Sequence, residues 1–152
     1  QCTLAAWSQQ NFANLPVVLT VAGQSSIPKA LVSFSGPVIT RFSCNSPCSS
    51  VPVNGGTNLT IFGQGFDSVS TNNIVNYGPS SNPNKYQCQT TSSNATVITC
   101  TLAMGVGKGL FLSVSRNMTS FVLNSLLSTS NISYVAPVIQ PSSLRSFPTD
   151  NE

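Results

Sequence analysis

The chain contains no histidine and only three acidic residues, Asp67, Asp150 and Glu152. Without an imidazole there is no Ser–His or Cys–His couple, and Asp67 stands alone in the body of the chain, so no carboxylate pair serves acid–base work. A metal site needs several His, Cys or carboxylate ligands, and Cys44-x-x-x-Cys48 is loose for zinc and lacks a second ligand pair. The expectation is a protein that is not an enzyme, with no catalytic residue, no metal and no cofactor. Charge of either sign is scarce: 6% of residues are charged, against the usual quarter. The basic residues Lys29, Arg41, Lys85, Lys108, Arg116 and Arg145 form no run, so the footprint of a nucleic-acid binder is missing. No apolar stretch approaches a membrane span and no basic-then-apolar leader begins the chain, so no membrane contact is expected from this segment, and Gln1 reads as a mature or truncated start. The glycine-rich stretches Gly63-Gln64-Gly65 and Gly105 to Gly109 neither open a helix nor carry Lys followed by Ser or Thr, and they read as turns at strand ends.

Polarity comes instead from Ser, Thr, Asn and Gln, a surface poorly protected by charge that needs another source of hydration or is meant to assemble. Four N-x-Ser/Thr sequons supply one, at Asn58, Asn94, Asn117 and Asn131. Asn58 falls on the outward face of a strand, Asn94 in a polar loop, Asn117 just after an alternating strand, and Asn131 in phase with outward Ser133. Covalent N-linked glycans at these positions place the chain outside the cell, secreted or at the cell surface.

The most informative stretch is Gly55-Gly56-Thr57-Asn58-Leu59-Thr60-Ile61-Phe62-Gly63-Gln64-Gly65-Phe66. Leu59 and Ile61 share one face at period two, and Asn58 and Thr60 share the other, as a half-buried strand requires. Gly63 and Gly65 suit a sharp exit, and Phe66 is placed to fold back as a plug. Further strands are expected near 37–44, 57–63, 72–78, 85–91, 95–103, 109–116 and 130–136, with inner faces at Ile98, Cys100, Leu102 and at Leu110, Leu112, Val114. Residues 79–84 read as a loop, and Phe121 to Leu127 comes nearest to a helical period, at most one short turn.

Internal correspondences extend this pattern. Cys2-Thr3-Leu4 matches Cys100-Thr101-Leu102, Val17 to Val21 matches Leu110 to Val114, and the approach to Pro37 matches that to Pro137. Phe147-Pro148 likewise matches Val51-Pro52. The period is about one hundred residues. Residues 1–36 then form the end of a preceding copy, 37–136 one complete copy, and 137–152 the first strand of a following one. Trp7 to Pro16 is longer than its counterpart Ala103 to Gly109, which places the difference in a loop.

These pieces resemble the signature of the IPT/TIG family, immunoglobulin-like β-sandwiches of the early-set type. The resemblance rests on Pro37-Val38-Ile39, Gly55 to Phe66, Ile74-Val75-Asn76-Tyr77-Gly78, Cys88 with Cys100, Gly105-Val106-Gly107, and Tyr134-Val135-Ala136-Pro137. It implies an all-β fold, an immunoglobulin-like β-sandwich in tandem repeat. In that fold Cys88 and Cys100 face each other across a hairpin within disulfide reach, and Cys44 with Cys48 suits a tight local loop. Cys2 aligns with Cys100 and is unpaired within the window. Its mate lies upstream, or it bridges to another molecule, or the thiols are free. Phe62, pointing outward, is an interface candidate. Trp7 and Phe12 are divided between packing and recognition.

Members of the resembled family include stalks of plexin-like and Met-like receptors and cell-recognition proteins of social amoebae. The resemblance therefore implies a glycosylated building block of a cell-surface stalk or extracellular fibre, working by adhesion. Its partners are neighbouring repeats, copies of itself or another cell-surface protein. Proline-marked junctions at Gly36-Pro37 and Ala136-Pro137 leave almost no linker and restrict bending. The alternatives are a ligand-binding receptor ectodomain and an accessory module of a secreted carbohydrate-active enzyme. A Rel-like DNA-binding role lacks its basic loops.

Overall fold

Alternating side chains build the strands that carry the core, such as Asn58–Gln64, Asn73–Gly78, Val97–Thr101 and Leu110–Asn117. The computed structural model describes residues 12–119 and 122–139; Cys2, Trp7 and all but residues 137–139 of the strand expected over 137–152 lie outside them. The strands are β1 (Phe12–Val17), β2 (Thr20–Val21), β3 (Gln24–Ser25), β4 (Lys29–Phe34), β5 (Val38–Cys44), β6 (Asn58–Gln64), β7 (Asn73–Gly78), β8 (Tyr86–Ser93), β9 (Val97–Thr101), β10 (Leu110–Asn117), β11 (Val122–Asn124) and β12 (Asn131–Ile132). A single 3-10 turn, Ser70–Asn72, precedes β7 among the described residues.

From β5 onward the strands form one antiparallel ladder in the order β11-β10-β7-β8-β9-β6-β5, with β12 also on β10. β8 is the seam. Its first half pairs with β7, ending at Val75 opposite Cys88, and its second half pairs with β9, beginning at Gln89 opposite Thr101. Both halves of the ladder contribute to one core. Leu59, Ile61, Ile98 and Cys100 come from one half, and Val75, Tyr77, Leu110, Leu112 and Val114 from the other. The fold is thus all-β and antiparallel, with an arrangement consistent with a β-sandwich. Burial of each large aliphatic core residue contributes about 1.5–3 kcal/mol.

β6 follows its sequence pattern closely, with Leu59 and Ile61 fully buried and Asn58 exposed. Gly63 is required by close approach: a Cβ there would run into the Val38 carbonyl and the Phe66 ring. Phe66, buried, plugs the end of the core as the sequence implies.

The chain changes sides after β5. Val51 makes an isolated parallel bridge to Tyr134, donating its amide to the Ser133 carbonyl (2.9 Å) and accepting from the Val135 amide (2.9 Å). The Cys44–Cys48 disulfide (Cα–Cα 5.5 Å) closes the corner between β5 and this crossing. The Cys88–Cys100 disulfide (Cα–Cα 5.6 Å) sits in the core at the seam. Its two residues are not directly opposed, since Cys100 has Thr90 as its Cα partner across the hairpin; the bond runs diagonally.

Three segments go beyond or depart from the sequence reading. In the stretch given at most one short turn, Val122–Asn124 form β11, antiparallel on β10, with Arg116 opposite Leu123 and Leu123 buried; Phe121 lies outside the described residues. The open edge of β10 offers hydrogen bonds, and Ser125 and Ser128 donate their amides to the Val114 and Leu112 carbonyls (both 2.8 Å). Secondly, Phe12 to Pro16 is not loop but part of β1, which pairs with β4 from Phe12 opposite Phe34 to Val17 opposite Lys29. Pro16 sits beside a register shift, where a residue without an amide hydrogen is tolerated. Finally, the strand expected over 130–136 contracts to β12 and the Tyr134 bridge.

Candidate functional site

Four sequons occupy the outside of the domain. Asn58 and Asn131 are exposed, the second paired with Phe111 on β10. Asn94 forms the β8–β9 turn; its Oδ1 accepts from the amides of Thr96 (2.9 Å) and Val97 (2.8 Å) and from the Thr96 hydroxyl (3.1 Å). Asn117, half-buried, ends β10 opposite Val122. Asn117 and Asn131 therefore stand near opposite ends of β10, about 20 Å apart at the usual strand rise.

Beside Asn117 a polar hollow of about 350 Å³ is lined by Asp67, Asn72, Arg116, Met118 and Thr119. Arg116 Nε reaches Asp67 Oδ2 at 3.3 Å and its guanidinium also donates to the Gly65 carbonyl (3.3 Å). The Val69 amide donates to Asp67 Oδ1 (2.9 Å). That bond first, and Arg116 beside it, hold the Asp67 carboxyl below the usual range despite partial desolvation. Buried Asn73 knits the same corner by accepting from the Asp67 amide (2.9 Å) and donating to its carbonyl (2.8 Å).

The opposite end of the domain is organised by aromatic hydroxyls, and sequence reasoning missed it. All three tyrosines of the chain converge on one loop. Tyr134 donates its hydroxyl to the Ala103 carbonyl (2.6 Å), and the Ala103 amide donates to the Tyr77 hydroxyl (3.0 Å). Tyr86 donates to the Val106 carbonyl (2.9 Å) and accepts from its amide (3.1 Å). Gly105 permits this closure, since a Cβ there would lie 2.9 Å from both the Tyr134 and Tyr86 rings. Burial pushes the Tyr77 and Tyr134 phenols up, whereas the Val106 amide holds that of Tyr86 down. The available signal was that every tyrosine falls within 37–136, around a glycine-punctuated turn.

The loop so clamped contributes to an apolar cavity of about 590 Å³ lined by Val53, Val106, Gly107 and Lys108 together with Tyr134 to Pro137, where the Tyr134 amide donates to the Gly107 carbonyl (2.8 Å). Of its lining residues Val53, Val106 and Val135 are exposed, and Met104, Val138 and Ile139, nearby in sequence, are exposed too.

Phe62 is half-buried on the outer face of β6, and the Arg41 guanidinium covers it at 3.7 Å from the ring centroid. The interface candidate is therefore a cation–π couple rather than a bare ring. Among the described residues no group of three or more His, Cys, Asp or Glu is placed to hold a metal, and no helix is long and apolar enough to cross a membrane.

An all-β domain with two disulfides and polar outer faces is the class that these features define. Residues 43–131 match the family described as a domain of unknown function (DUF7498), and the chain belongs to that family. No curated protein matches the chain.

Proposed function

We propose that this chain is part of an extracellular, N-glycosylated tandem-repeat protein that works by contact rather than catalysis, as a building block of a stalk or fibre. Each repeat in this reading is an immunoglobulin-like sandwich of IPT/TIG type. The observation that carries it is the coincidence of two disulfides with four sequons, all of whose asparagines lie outside the core. Disulfides persist in oxidising compartments, and glycans hydrate a surface with few charges.

The strand order supports the fold. β5-β6-β9-β8 follows the order of one immunoglobulin sheet and β7-β10-β12 that of the other, and the Val51 crossing is a strand that switches sheets. The β1–β4 hairpin supports the repeat. It pairs Leu15 with Val32 as β10–β12 pairs Leu110 with Ile132, and in the repeat reading Leu15, rather than Val17, would then take the place of Leu110. Leu19, Val21 and Ile27, between β1 and β4, are exposed.

Peptide mass spectrometry of native material tests the reading: N-glycans are expected on most of Asn58, Asn94, Asn117 and Asn131, and unmodified asparagine at all four would overturn it. Electron microscopy separates long polymers, expected for a fibre, from isolated flexible stalks, expected for a receptor ectodomain.

A further inference from the structure

The same junction occurs twice, and among the described residues it is closed once. At the first, Pro37 is buried, its Cα near Gly65, and Gly36 lies so close to the Asn124 backbone that a Cβ would overlap the carbonyl. At the second, Ala136 and Pro137 are both exposed at the lip of the apolar cavity, and Val138 beyond them is 80% exposed. The chain that closes the first junction becomes apolar just beyond it: Leu126, 86% exposed, and Leu127 follow Asn124 after Ser125. One end of the domain thus offers an open apolar hollow, held in shape by the tyrosines. Along the β10 edge, between Ser125 bonded to Val114 and Ser128 bonded to Leu112, the chain carries the exposed leucines just after the strand that covers Gly36.

We propose that the cavity at Val53, Val106 and Val135 is the seat of the next copy of this fold along the chain. That copy's equivalents of Asn124 and Leu126 close over Ala136–Pro137. The inference rests on the tandem-repeat reading and adds the interface. An exposed apolar patch of this kind marks an interaction site, and a short proline-bearing junction keeps the following copy at its mouth. The methyl of Ala136, standing where the first junction has Gly36, sets the second copy slightly farther off or at another tilt, so successive junctions are not superimposable.

The test joins residues 1–136 to a second run of 37–152 and compares it with the 152-residue chain. Solvent paramagnetic relaxation of the Val53, Val106 and Val135 methyls in the first copy is expected to fall by about three-fold or more, as in the dry centre of an interface. Val53→Lys in that copy should restore it without altering the disulfides. Methyls as open in the joined chain as in the single one overturn the proposal. So does cover already present in the single chain, whether concentration-dependent, which assigns the cavity to a second molecule, or independent, which assigns it to the chain's own tail. Cooperative melting of both copies with native disulfides shows that the repeats are units. An open cavity alongside such melting then sinks this interface and leaves the array to the glycan test.

Discussion

The hydroxyls of Tyr77 and Tyr134 lie 2.7 Å apart and between them satisfy both backbone groups of Ala103. Since Tyr134 gives its hydrogen to the Ala103 carbonyl, Tyr77 donates to Tyr134 and accepts from the Ala103 amide. The four groups close a ring that binds β7, the segment after β12 and the β9–β10 loop into one end of the domain. Such a ring is worth more complete than in parts.

Removing either hydroxyl should therefore be expensive. Tyr77→Phe and Tyr134→Phe each leave a buried backbone group or phenol without its partner, and each is expected to destabilise by about 1–3 kcal/mol. The double variant should lose less than the sum, because the second change removes a partner already orphaned. Urea midpoints at constant slope measure all three. Strict additivity would mean that the two hydroxyls act independently.

The same pair fixes the alkaline limb of stability. Burial holds both phenols above their ordinary value, so the folded chain keeps protons that the unfolded chain releases near pH 10. The folded state then binds more protons, and stability falls as pH rises beyond that point, by up to about 1.4 kcal/mol per unit for each phenol. Tyr86, whose hydroxyl accepts from Val106, has its value lowered and should ionise first. Near-UV absorbance is expected to show one early tyrosine and two that ionise only with unfolding.

Much of this architecture was legible in the sequence because period-two patterning acts locally. Leu59 and Ile61 in β6, and Leu110, Leu112 and Val114 in β10, went inward as the alternation requires. The Gly63–Phe66 exit was readable because a glycine and an aromatic close together imply a tight approach. The strands that the sequence did not show belong to longer-range effects. β11 owes its form to the free edge of β10, and β1 to its ladder with β4, and neither partner is visible from its own segment. The tyrosine ring joins positions 57 residues apart, so only the folded chain reveals it.

The disulfides should differ in weight. Cys88 and Cys100 are separated by 12 residues and Cys44 and Cys48 by 4. Chain entropy alone then predicts losses of about 3 and about 2 kcal/mol when each pair is replaced by alanine. The first pair is also buried at the seam between β7 and β9, so its loss adds a packing defect. Replacing the second frees the corner before Val51, and its effect should concentrate in hydrogen exchange of Val51 and Val135. A larger global loss from Cys44 and Cys48 than from the core pair would contradict this ranking.

At the other end of the pH scale, one carboxylate should dominate. Asp67 is the sole acidic side chain within residues 37–136; Asp150 and Glu152 lie near the C-terminus. The Val69 amide and Arg116 hold its value below that of an unfolded aspartate. Between the two values the unfolded chain binds the proton and the folded chain does not. The contribution is therefore complete above the unfolded value of about 3.9 and is lost as pH falls through the folded one. Asp67→Asn should flatten the acid limb of the stability profile while leaving the alkaline limb unchanged, because the tyrosines lie outside its network. Arg116→Gln should move that limb upward in pH, and added salt should weaken the ion-pair part more than the bond from Val69. An acid limb that persists in Asp67→Asn would place its origin in the C-terminal carboxylates instead.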